Sequence, residues 1–154
     1  MLLNSIGTGD LDRLTATVQC AAAPTADLIR SIIAACPRLG NLGGKEAGRI
    51  ARMIESEAWT DAALALIACE LPQWRLRRLA CDDDQWFCTL SRQPQLPAHL
   101  DDGAEGSHAA AALAILDAFL AARRRMLTAR ATQEPAVPTV RPVSQHVLCC
   151  DNFS

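Results

Sequence analysis

At 154 residues the chain is long enough for one domain with a buried core, and no stretch approaches the ~18 uninterrupted apolar residues of a membrane-crossing helix. The formal net charge of -2 excludes a general attraction of the whole surface to polyanions. Aromatic residues make up only 4%, so the core has to be built from Leu, Ile and Ala around three Trp and three Phe.

Residues 1–10 have no basic start and no long apolar run, so they do not read as a secretory signal. Thr8 or Asp10 caps a first helix with Leu11, Leu14 and Val18 on one face. Pro24 and Thr25 restart the chain, and Leu28, Ile29, Ile32, Ile33 and Cys36 form a second stripe that Pro37 stops. Residues 37–44 are a loop by composition. A third helix starts near Lys45 and carries Ile50, Met53 and Ile54, and the apolar phase breaks near Ser56.

From Ser56 the pattern becomes helix, strand, turn, strand, helix. Ser56 is read as the cap of a helix running to about Glu70, with Trp59, Ala62, Ala63, Leu66 and Ile67 on a stripe and Pro72 beyond its end. Two strands follow, and the run Asp82-Asp83-Asp84 between them suits a turn because Asp tolerates the left-handed region. A three-residue loop sets Cys81 opposite Gln85, Ala80 opposite Trp86 and Leu76 opposite Leu90. That register gathers Trp74, Leu76, Ala80, Trp86, Cys88 and Leu90 on an inner face. Arg78 is a misfit there, explained by a side chain reaching past Trp86 or by a bulge. The outer face then carries Arg75, Arg77, Leu79, Cys81, Phe87, Thr89 and Ser91.

Residues 92–106, rich in Pro, Gly and acidic side chains, read as a long surface connection. Ser107 is expected to cap a last helix with Ala112, Ile115, Leu116, Phe119 and Leu120 at helical spacing. Arg123, Arg124 and Arg125 suit its C-terminal dipole. From Thr132 the prolines at 135, 138 and 142 forbid regular structure. The reading divides the chain into a helical segment (1–55), an α-β-β-α unit (56–130) and a flexible tail (131–154), and its fold class is α+β with a two-stranded antiparallel hairpin.

Seven cysteines without a C-x-x-C pair fit reduced thiols in a cytoplasmic protein, and the Arg bias over a single Lys45 fits a bacterial source. Gly40-Asn-Leu-Gly-Gly-Lys45 lacks the spacing of a phosphate loop, and Glu46 replaces its hydroxyl residue. His99 and His108 flank Asp101, Asp102 and Glu105, but without the fixed spacing of metal ligands. Cys81 and Cys88 fall on opposite faces in this register. No nucleophile motif appears, so no catalytic residue, cofactor or metal is assigned. Arg75 and Arg77 with Phe87 and Thr89 form the one candidate binding face, able to stack and pair with single-stranded nucleic acid or simply to keep the sheet soluble.

The runs Ala-Leu-Ala-Leu-Ile67, Trp86-Phe-Cys-Thr-Leu90 and Ala112-Leu-Ala-Ile-Leu-Asp-Ala-Phe-Leu120, in that order, are similar to the phage ABA-sandwich domain family over residues 56–123. The resemblance implies a fold and no activity. The expectation is a small bacterial or phage-related protein, a non-enzymatic binding or assembly module. A small nucleic-acid-binding accessory protein is the alternative. No membrane partner is expected. For the outer sheet face, cover by the N-terminal helices ranks first and a homodimer second.

Overall fold

The protein is described by a computed structural model over residues 7–133. Its elements run α1 (Thr8–Cys20), α2 (Ala26–Ala34), α3 (Pro37–Gly40), α4 (Gly44–Glu55), α5 (Trp59–Glu70), β1 (Arg75–Asp82), β2 (Gln85–Ser91), β3 (Ala104–His108) and α6 (Ala111–Thr132). The class is α+β. The sheet, however, has three antiparallel strands in the order β1-β2-β3, where the sequence reading had two.

Local chemistry explains most boundaries. The Thr25 hydroxyl accepts from the Leu28 N–H at 3.3 Å and caps α2. Pro37 does not merely stop a helix: it is the first residue of α3, where its missing N–H costs nothing. The break at 56 is real but works differently from the expectation. Ser56 ends α4, its hydroxyl donating to the Arg52 carbonyl at 2.8 Å, and Glu57 turns the chain through a left-handed φ of 56°. The N-cap of α5 is Ala58, without a side-chain bond.

The hairpin departs from expectation by one residue. Asp83 and Asp84 both adopt left-handed φ, 48° and 60°, so the loop has two residues and its twist matches that of the strands. Asp82 pairs with Gln85, Cys81 with Trp86, Leu79 with Cys88 and Arg78 with Thr89. The register shifts between Leu76 and Arg78, and Leu76 still faces Leu90. The bulge at Arg77 therefore absorbs the residue taken from the turn. Its consequence is a swap of faces: Leu79 and Cys81 turn inward with Trp86 and Cys88, while Arg78 and Ala80 turn outward. Cys81 and Cys88 thus share a face, contrary to the sequence register, and the misfit of Arg78 disappears.

Residues 104–108 form a strand, not the end of a loop, and Ser107 does not cap α6. The N-cap of α6 is Ala110, whose N–H donates to His108 Nδ1 at 3.1 Å. Gly106 faces inward opposite Cys88. A Cβ there would lie 2.2 Å from the Ala118 nitrogen and 2.5 Å from the Ala114 oxygen, so the backbone of α6 rests directly on β3. From Ala112 to Leu120 every residue of α6 is buried, which means the helix is covered all round. The sheet covers one side; α1 and α5 pack on the others, with α2, α3 and α4 outside them. Phe119, Leu66, Ile29 and Leu11 sit in one continuous core, whereas Trp86, on the inner face as expected, is only half-buried.

The N-terminal helices therefore do not cover the outer sheet face, the arrangement ranked first from sequence. They lie behind α6, and among the described residues the outer face is bare. The expectations for a tail beyond residue 133, including Cys149 and Cys150, lie outside the described residues.

Candidate functional site

The open face of the sheet is a shallow concavity of ≈ 700 Å³. By the observed register Arg78, Ala80 and Asp82 come from β1, Phe87 and Thr89 from β2, and Glu105 and Ser107 from β3. Phe87 is 45% exposed, unusual for a side chain of that size in a central strand.

The four residues proposed from sequence separate here. Phe87 and Thr89 lie together on this face. Arg75 is exposed at the start of β1 and donates to the Pro72 carbonyl at 3.3 Å. Arg77, in the bulge, is committed elsewhere: its guanidinium donates to Asp101 at 2.7 Å and to the Leu96 carbonyl at 2.8 Å, pinning the 92–103 connection. A positive stripe through Arg75, Arg77 and Arg123 does not form, because Arg123 is buried and ion-paired with Glu70. Arg78 was missed as a face residue, although its poor fit to the inward register was the signal that a bulge reverses it.

The two outer strands differ at their free edges. On β3 the Ser107 N–H donates to Asp117 Oδ2 at 3.2 Å, so α6 supplies an acceptor to that edge. On β1 nothing among the described residues plays this part. Across a two-residue turn the closing pair exchanges both backbone bonds. Asp82, Ala80 and Arg78 therefore direct their N–H and C=O toward β2, and Leu79 and Cys81 direct theirs outward. These outward groups form a free strand edge.

Burial, with the Asp117 charge adding to it, pushes the Cys88 thiol up to about 12, so it is not a thiolate at neutral pH. The acidic connection is neutralised locally, Asp101 by Arg77 and Asp102 by Arg125. Among the described residues no three His, Cys, Asp or Glu side chains gather as metal donors.

Comparison with family models finds no match, and neither does comparison with curated proteins or with solved structures.

Proposed function

We propose that the chain is a non-enzymatic assembly module that pairs with a second copy of itself along the free edge of β1. The observation carrying this reading is that edge, left open while the opposite edge receives Asp117. Self-pairing has to keep outer residues beside outer residues. A twofold axis at Ala80 does so: it sets Arg78 opposite the partner's Asp82 twice, and Leu79 opposite the partner's Cys81 on the inner side. The outward N–H and C=O groups of Leu79 and Cys81 then meet their counterparts. Arginines on an edge strand ordinarily discourage pairing, but in this register each faces a carboxylate. The resemblance to the phage ABA-sandwich family belongs to the same proposal and speaks to the fold alone.

Single-stranded nucleic acid on the outer face is the second reading, favoured by exposed Phe87 beside Thr89. Asp82 and Glu105 on the same face and the committed Arg77 weigh against it.

Light scattering at micromolar concentration tests the first reading. The wild-type chain is expected to be a dimer. Cys81→Pro removes one outward N–H from an exposed edge position and is expected to give a folded monomer. Asp82→Arg alone is expected to weaken the dimer, and the charge swap Arg78→Asp with Asp82→Arg to restore it. A wild-type monomer, or a dimer indifferent to all of these changes, overturns the proposal. A monomer that retains a labelled oligonucleotide, and loses it on Phe87→Ala, supports the second reading.

A further inference from the structure

Most arginine side chains among the described residues are engaged. Arg13, Arg30 and Arg49 pair with acids three residues earlier, Arg77, Arg123, Arg124 and Arg125 pair across elements, and Arg52 and Arg75 donate to backbone carbonyls. Arg38, Arg78, Arg92 and Arg130 have neither kind of partner among the described residues. Three of them, Arg38, Arg92 and Arg130, line a single cleft of ≈ 260 Å³. They reach it from α3, from the chain just past β2 and from the last turns of α6. Among the described residues no carboxylate lines this cleft, and buried Leu71 and Trp74 lie at its base with Met126 beside them.

A second concavity of ≈ 230 Å³ shares Arg92, Trp74 and Met126 with the first. Its acids, Asp101 and Asp102, are already neutralised by Arg77 and Arg125. The two together make a cationic mouth beside an apolar wall. The geometry of the mouth is set from below. Glu70 accepts from the Arg38 and Leu39 backbone N–H groups at 3.1 and 3.2 Å, and its other oxygen pairs with Arg123 of α6. That one carboxylate fixes α3, which carries Arg38, against the helix that carries Arg130.

We propose that this cleft binds a small organic phosphate, its phosphate held by Arg38, Arg92 and Arg130 and its apolar body lying over Trp74 and Met126. Guanidinium groups match phosphate oxygens in pairs, and a dianion relieves the mutual repulsion of the three cations. A monocarboxylate supplies one charge and leaves that repulsion largely in place. The proposal is independent of self-assembly, since none of these residues lies on β1.

Phenyl phosphate is the probe, followed by calorimetric titration and by tryptophan fluorescence, to which Trp74 reports. Saturable binding is expected, roughly tenfold tighter than inorganic phosphate, with no binding of phenol. Arg92→Gln and Arg130→Gln are each expected to weaken it by roughly tenfold while leaving the thermal transition unchanged. Arg78→Gln, which alters an equally unpartnered arginine on the sheet face, is expected to leave binding intact. Absence of saturable binding overturns the proposal. So does binding that survives the Arg92→Gln and Arg130→Gln double variant, or binding that Arg78→Gln weakens equally, which would mark a diffuse effect of surface charge.

Discussion

Glu70 is 2% exposed, and its carboxylate takes three hydrogen bonds. A buried carboxylate is tolerated only when its charge and lone pairs are answered, here by Arg123 and by two N–H groups of α3. From sequence it read as the end of a helix, and Arg123 as a helix-end cation, because nothing local reveals a contact between residues 53 positions apart. Glu70→Gln keeps the shape but leaves Arg123 buried without a counter-charge, and is expected to cost about 3–5 kcal/mol in urea unfolding. A loss under about 1 kcal/mol would mean that water reaches the pair. The buried thiols make a second prediction. Burial raises Cys36 and Cys88 from an ordinary 9.0 to about 12, with Arg123 partly opposing the shift at Cys36. A raised thiol pKa leaves stability intact below the unfolded value. Above pH 9 the unfolded chain ionises first, so stability should fall as pH rises toward 12. Cys36→Ala with Cys88→Ala should flatten that slope in urea titrations between these limits. An unchanged slope would show that other groups cause it.

Among the elements, β3 is the strand the sequence concealed. Ala104-Glu-Gly-Ser-His108 has no β-branched residue and no Phe, Tyr or Trp, so propensity does not mark it as a strand. It alternates all the same, with Ala104 and Gly106 buried and Glu105 and Ser107 exposed. Small inward residues are required because α6 lies against the strand backbone, and that demand removes the signal a strand normally shows. Gly106→Ala is expected to destabilise the fold by at least about 3 kcal/mol, since the new Cβ meets helix backbone rather than a side chain that can move. Urea unfolding checks this, and a cost below about 1 kcal/mol would place α6 farther from the sheet. The hairpin was legible as a hairpin, and its inward residues on β2, Trp86, Cys88 and Leu90, were read correctly. The β1 face was not, because two compensating irregularities, a shorter turn and a bulge, leave the Leu76–Leu90 pair unchanged while reversing everything between. The helices from 8 to 70 were visible in their apolar stripes, and their caps less so, except α3, a single turn at 37–40 in a stretch read as a loop and too short to carry a stripe.

At the scale of the molecule, the long helix α6 decides what is left open. Being apolar all round over 112–120, it draws the sheet to one side and α1 and α5 to the others. From sequence, the amphipathic helices at 11–36 had stripes of their own to bury, and the outer sheet face was the place ranked first for them. They do not lie there, and one sheet face and one strand edge remain uncovered among the described residues. No described helix is long and apolar enough to cross a membrane. Self-pairing depends on the outward amides of Leu79 and Cys81, and hydrogen exchange at a series of protein concentrations reads them directly. Self-pairing predicts that these two amides become protected as concentration rises, while Ala80, bonded within the hairpin, exchanges at one rate throughout. Exchange at Leu79 and Cys81 that is fast and independent of concentration would contradict it.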